Sequence, residues 1–160
     1  MNDKFTFVQK VVLVLLRVVI GWHFLYEGVA KLLKANWSAA GYLAQSRGFL
    51  APLFQWMADS PGVLAVVNQL NIWGLIAIGL ALILGCFTRL SAVFGMLLIL
   101  LYYLANPPFV GYYYSIPMEG NYLIINKNIV ELVALLFIAV SNSGWYAGLD
   151  RIIKNLWGKK

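Results

Sequence analysis

Charge is what this sequence has least of. Only 11% of its 160 residues are Asp, Glu, Lys or Arg, where an ordinary soluble domain carries roughly 25%. No charge falls between Asp59 and Arg89, or between Arg89 and Glu119. Each run exceeds the ~20 residues that cross a ~30 Å hydrocarbon core, so the chain belongs in a lipid bilayer. Cysteine is nearly missing as well. A lone Cys86 excludes an internal disulfide, a CxxC redox pair and a cysteine-ligated cluster, and reads as a small hydrophobe. A lone His23 cannot supply two axial haem ligands or anchor a zinc site, so neither metal nor haem is expected.

What is there is apolar: 62% of the residues are hydrophobic and the mean hydropathy is +0.79. The net charge of +6 would suggest nucleic acid in a soluble protein, but the basic residues flank apolar spans, where they set orientation. The bilayer is the expected partner and nucleic acid is not. Four spans with their connections use up the length, which leaves no room for a separate soluble catalytic domain. The expected fold is all-α, an integral membrane four-helix bundle with interfacial loop helices, forming one domain over residues 1–160.

The spans read as residues 7–33, 63–86, 90–105 and 122–140. Arg17 interrupts the first, and no A-x-A cleavage pattern follows at a proper distance, so it reads as retained rather than as a signal peptide. Between Asn36 and Pro61 no run is long enough to span. One or two short helices are expected there, lying in the interface with Trp37, Tyr42 and Trp56 at headgroup level. Phe87, Thr88 and Arg89 form the expected tight connection, and Pro107 and Pro108 end the third span for want of amide donors. Tyr112, Tyr113, Tyr114 and Tyr122 read as belt residues. Lys4, Lys10, Arg89, Arg151, Lys154, Lys159 and Lys160 gather on one side, against Lys34 and Arg47 on the other, with Lys31 near the boundary. The expected location is therefore the inner (plasma) membrane, multi-pass, with both termini cytoplasmic.

Ionisable residues inside the spans are the most informative feature, because an unpaired charge at the bilayer centre costs about 3 kcal/mol or more. Arg17, Gly21, Phe24, Gly28 and Lys31 follow one another at intervals of 4, 3, 4 and 3 and form a single stripe on a helix. Lys127, Glu131, Ala134 and Ile138 form another, flanked by Asn126 and Asn128. Depth counted from the span ends pairs Arg17 with Glu131 and Lys127 with Glu27. His23 lies off the stripe and reads as a surface or packing residue, with proton transfer as the lesser alternative. Such a seam has two readings, since paired buried charges can do chemistry or only fix register. Ala77, Ala81 and Gly85, with Ser91 and Gly95, form small-residue ridges that permit close packing. Asn68, Gln69 and Asn71 at the outer start of span two could bind a ligand, or be wetted at the interface.

The stripe R-x3-G-x2-F-x3-G-x2-K from Arg17 to Lys31, the segment GLALILGCFTR from Gly79 to Arg89 and the run NKNIVE from Asn126 to Glu131 resemble the DoxX family of four-helix membrane proteins. The stretch WSAAGYL from Trp37 to Leu43 is similar to its DoxD branch, the small membrane subunit of thiosulfate:quinone oxidoreductase. The resemblance implies a membrane subunit that passes electrons from thiosulfate, or another small sulfur compound, to membrane quinone. With no cysteine pair and no nucleotide fingerprint, a bound quinone is the one credible redox partner within such a subunit. The catalytic candidates are then Arg17, Glu27, Lys127 and Glu131, with Lys127 and Arg17 on the quinone oxygens and Glu131, Glu27 or His23 relaying protons. Phe24, Lys127 and Asn128 would line the quinone slot. Lys31, Lys34 and Arg47 would draw a sulfur oxyanion to the outer mouth. A second redox subunit or a second copy is the expected protein partner. Two other readings stay open: a non-catalytic anchor or assembly subunit, and a carrier of a small solute or lipid.

Overall fold

The computed structural model describes residues 5–115, 123–141 and 143–157, and the regular elements among them are all helices. Helix α1 (Phe7–Leu33) opens on a capping box: Thr6 Oγ1 accepts from the Gln9 amide at 3.3 Å, and Gln9 Oε1 accepts from the Thr6 amide at 2.7 Å. Two donors that the helix start leaves orphaned are thereby satisfied. Short helices α2 (Ala40–Ala44) and α3 (Ala51–Asp59) follow. Helix α4 (Pro61–Leu84) has proline in its first turn, where no amide donor is needed, and ends at Gly85, whose φ of 64° is left-handed. Helices α5 (Thr88–Ala105), α6 (Lys127–Ser141), α7 (Ser143–Tyr146) and α8 (Leu149–Trp157) complete the order.

The helix bounds lie close to those of the expected spans, with instructive shifts. The turn between α4 and α5 lies at Gly85, Cys86 and Phe87, so Thr88 and Arg89 belong to α5 rather than to the connection. The start expected for span four, Tyr122, lies outside the described residues. Among the described residues α6 begins at Lys127 because the Asn126 side chain accepts from the Asn128 and Ile129 amides at 3.1 and 3.3 Å, an N-cap. Helices α1, α4 and α5 are long and apolar enough to cross a membrane. The 15 residues of α6 reach only about 22 Å.

Helix α1 packs most extensively on α4, and α5 on α6; α4 with α5, and more thinly α1 with α6, close the ring. The α1–α4 approach is a backbone contact made possible by glycine. A Cβ on Gly79 would stand 2.5 Å from the Leu25 nitrogen and 2.7 Å from the Gly21 oxygen, and one on Gly28 would stand 2.7 Å from Ile76 Cγ1. The ridge that matters is therefore Gly21, Gly28 and Gly79, whereas Ala77 of the expected ridge faces outward. Phe24, Leu82, Leu135 and Ile138 fill the centre, with Gly95 leaving room for the Phe24 ring and Leu135. Val19, Trp22, Leu70, Val130 and Val140 point outward, each more than half exposed, as a lipid-facing surface requires.

The segment carrying α2 and α3 folds back over one end of the bundle on a small core of Ala39, Leu43, Phe54 and Ala105. Ser46 Oγ and the Arg47 amide both donate to the Ala105 carbonyl, at 2.6 and 3.1 Å. Tyr42 OH donates to the Tyr102 carbonyl at 2.9 Å, and burial raises its pKa. Of the three aromatic residues expected at headgroup level, Trp56 alone projects freely, because Trp37 and Tyr42 pack inward on this core. At the opposite end Phe5 meets Phe137 and Tyr146 edge-on, at 6.5 and 6.2 Å, and Lys10 sits 5.3 Å above the Tyr146 ring. The start of α1 and the α7–α8 segment thus share one end of the bundle.

Candidate functional site

Arg17 and Glu131, expected to face each other, are in different places. The α1–α4 contact sets Gly21 against Gly79 and Ile83, so Arg17, one turn earlier on α1, comes level with the turn that joins α4 to α5. Its side chain is 2% exposed, and Nη2 donates to the Ala147 carbonyl at 2.6 Å. A Cβ on Gly85 would stand 2.8 Å from Arg17 Nη1 and equally close to Gly148 Cα, so the guanidinium is wedged between the α4–α5 and α7–α8 turns. Asp150 locks the same two turns together. Its carboxylate accepts from the Phe87 and Thr88 amides at 2.6 and 2.9 Å, and its own amide donates to the Gly85 carbonyl at 2.8 Å. Asp150 is also the carboxylate whose field reaches Arg17. Arg17 thus serves the terminal end of the bundle, where sequence reasoning placed it at the midplane.

Glu131 meets His23 instead. Nδ1 of His23 lies 2.9 Å from Oε1 of Glu131, whose side chain is 11% exposed against 49% for His23. A hydrogen bond at that distance requires a proton on Nδ1 or on Oε1, the His tautomer deciding which group donates. The pair sits in an open groove of about 530 Å³ between α1 and α6. Its walls are Leu16, Val19 and Ile20 on one side and Val130 and Ala134 on the other, with His23, Lys127 and Glu131 as the polar groups. The charge of Lys127 acts on both His23 and Glu27. The Glu27 carboxylate is held by Lys31 on its own helix, at 2.6 Å. Sequence reasoning keeps His23 only as a lesser proton-transfer candidate and does not pair it with Glu131, because it reads the angle from the Arg17 stripe as a turn away from α6.

The remaining candidates scatter. Phe24, expected in a ligand slot, is 2% exposed in the central core and does not line the groove. The Asn128 amide is tied to the Asn126 cap, and Asn128 is likewise absent from the groove lining. Lys31 folds back on Glu27 and lies 5.7 Å from the centre of the Trp37 ring. Lys34 is exposed at the end of α1, and Arg47 is exposed in the loop beyond α2. No recorded contact joins Lys31, Lys34 and Arg47 to one another among the described residues.

On the same end as those cations, the amides expected to be wetted are structural. Asn68 Oδ1 accepts from the Ala39 amide at 2.9 Å, and Asn71 Nδ2 donates to Tyr102 OH at 2.7 Å. Among the expected belt tyrosines, Tyr113 is exposed, while Tyr114 OH donates to the Pro107 carbonyl at 2.8 Å.

Compared with protein families, residues 12–106 match the model described as DoxX. The match runs from α1 to the end of α5, so it includes His23 and stops short of α6. Comparison with curated proteins and with solved structures found no match.

Proposed function

The chain belongs to the DoxX family, and from that premise we propose that it is the membrane subunit of a quinone-linked oxidoreductase, with the quinone headgroup in the α1/α6 groove. The observation that carries this reading is an apolar, laterally open groove with three polar groups gathered in it. Its volume of about 530 Å³ falls in the 300–1,000 Å³ range typical of small-molecule sites. A quinone, when bound, supplies a two-electron, two-proton acceptor. Lys127 and His23 donate hydrogen bonds where its carbonyl oxygens sit, and favour negative charge there. The His23–Glu131 pair holds a proton at Nδ1 or Oε1, within the groove and ready for transfer. Electrons come from thiosulfate or another small sulfur compound, directly or through a second redox subunit, as in the DoxD-like branch. The reading places both termini on the cytoplasmic face of the inner membrane.

The anchor reading has one observation in its favour: Arg17, the most deeply buried charge among the described residues, is spent on joining helix ends. One preparation separates the two. Full-length protein purified in mild detergent should retain quinone and reduce it when thiosulfate is added. His23→Gln and Glu131→Gln should each keep the fold and lose reduction. A folded protein that neither retains nor reduces quinone would remove the redox reading and leave the anchor and the carrier.

A further inference from the structure

The α1/α6 groove continues past its polar groups. Leu16, which walls it, also walls a second hollow of about 250 Å³ bounded by Val8, Val12 and Leu13 of α1 together with Phe5 and Phe137. Gln9 is the one polar residue lining that second hollow. The two hollows share Leu16 as a wall and lie end to end along one face of α1, from His23 down to Val8. That stretch is sixteen residues of α1, roughly 22 Å from end to end. The polar groups of the two hollows, Gln9 apart, are His23, Lys127 and Glu131. They lie towards the start of α6, and the apolar floor runs to the end where Phe5 and Tyr146 meet.

A trough with polar groups at one end and an aliphatic, Phe-walled run behind them fits a compact hydrogen-bond-accepting head with a single long tail. We infer that the groove recognises an isoprenoid-tailed quinone by its tail as well as its head, with the tail laid along the α1/α6 seam past Leu16 to Phe137. The inference rests on the quinone reading above and adds the class and direction of the ligand. The bilayer is as apolar as the trough, so the tail gains no transfer energy by entering it. Its contribution is shape fit and dispersion, which fix the depth and orientation of the head beside His23 and Lys127. Two-chain lipids fit a single seam less well, because only one of their chains can follow it.

The test compares a long-tailed quinone with a tail-less benzoquinone for binding to full-length protein in lipid nanodiscs. Val12→Trp, at a half-exposed position that lines the lower hollow alone, fills the path of the tail, and Val8→Trp, which also lines only that hollow, does the same should the first variant fail to fold. Either variant should weaken the tailed quinone about tenfold and leave the tail-less one unchanged. Equal effects on both ligands, or on neither, overturn the inference. Thiosulfate-dependent reduction on the same samples separates the two claims. Tail-selective binding without reduction upholds the trough and removes the redox reading, whereas reduction that ignores the tail in every variant keeps the redox reading and removes the trough. Failure of both quinones to bind the wild type removes both.

Discussion

Nδ1 of His23 lies 2.9 Å from Oε1 of Glu131, and this contact ties α1 to α6 where the two helices touch least around the ring. Removing either partner leaves the other polar group beside hydrocarbon, so the pair holds the groove in shape. Interhelical hydrogen bonds in membranes contribute about 0.6 kcal/mol on average and up to ~1.7 kcal/mol, because the unfolded chain also finds partners. A double-mutant cycle on His23→Ala and Glu131→Ala should therefore return a coupling of about 1 kcal/mol. The same cycle on Arg17 and Glu131 should return none. Reversed results, measured by unfolding in detergent, would restore the pairing that the sequence suggested.

That wrong pairing was avoidable. In two antiparallel helices the numbers of facing residues add to a constant, which is 154 for Glu27 with Lys127 and also for His23 with Glu131, but 148 for Arg17 with Glu131. The two pairs drawn from depth alone were thus out of register by six residues, and keeping the Lys127 to Glu27 register leads straight to His23. Depth failed because it assumed that all spans begin level, whereas α1 reaches about three turns past the α4–α5 turn. The three long apolar helices were legible, since charge-free runs act locally, but the bounds were less so: Gly85, which ends α4, read as lying inside span two, and span four read as starting at Tyr122 although Asn126 caps α6. The groove was not legible, because it depends on how far α6 stands from α1. Asp150, which caps a helix from 62 residues away in sequence, leaves no local signal either.

Glycine at position 79 should be irreplaceable even by alanine. Its Cβ would meet backbone atoms, Leu25 N and Gly21 O, which cannot swing aside as a side chain can. Gly79→Ala should cost about 1–3 kcal/mol, as overpacking does. Gly74, on the same helix, has nothing within 4 Å of its Cβ position. Gly74→Ala should be neutral or stabilising by about 0.5–1 kcal/mol. Equal melting temperatures for the two variants would mean that α1 and α4 are not in backbone contact.

Alkaline pH should loosen the loop after α5. Burial pushes the Tyr114 hydroxyl up to about 12 from 10.0, and this hydroxyl donates to the Pro107 carbonyl. A folded pKa above the unfolded one means that the folded state holds its proton longer. The contribution is then complete below pH 10, and falls as pH rises from 10 towards 12. Tyr114→Phe should flatten the stability curve in that window and, because the hydrogen bond to Pro107 is gone, lower it by a constant amount near neutrality. A wild-type curve that is already flat from pH 10 to 12 would contradict the buried hydroxyl.

The terminal end of the bundle separates scaffold from site. Arg17 and Asp150 join the same two turns, so their loss should register in folding and not in ligand retention. Asp150→Ala removes the acceptor of the Phe87 and Thr88 amides. A lost N-cap costs about 1 kcal/mol, and leaving the buried Arg17 without a carboxylate in reach adds to that, towards the ~3 kcal/mol of a broken buried pair. Arg17→Met, which keeps much of the stem's packing and drops the charge, should destabilise less when combined with Asp150→Asn than when made alone, since the second change removes the carboxylate left behind. Melting temperature and bound quinone per folded molecule, read on one preparation, give the decision. Arg17→Met should lower the first and spare the second, because no groove residue has moved. A variant that folds as well as the wild type yet has lost its quinone would return Arg17 to the site and detach it from the helix-end lock.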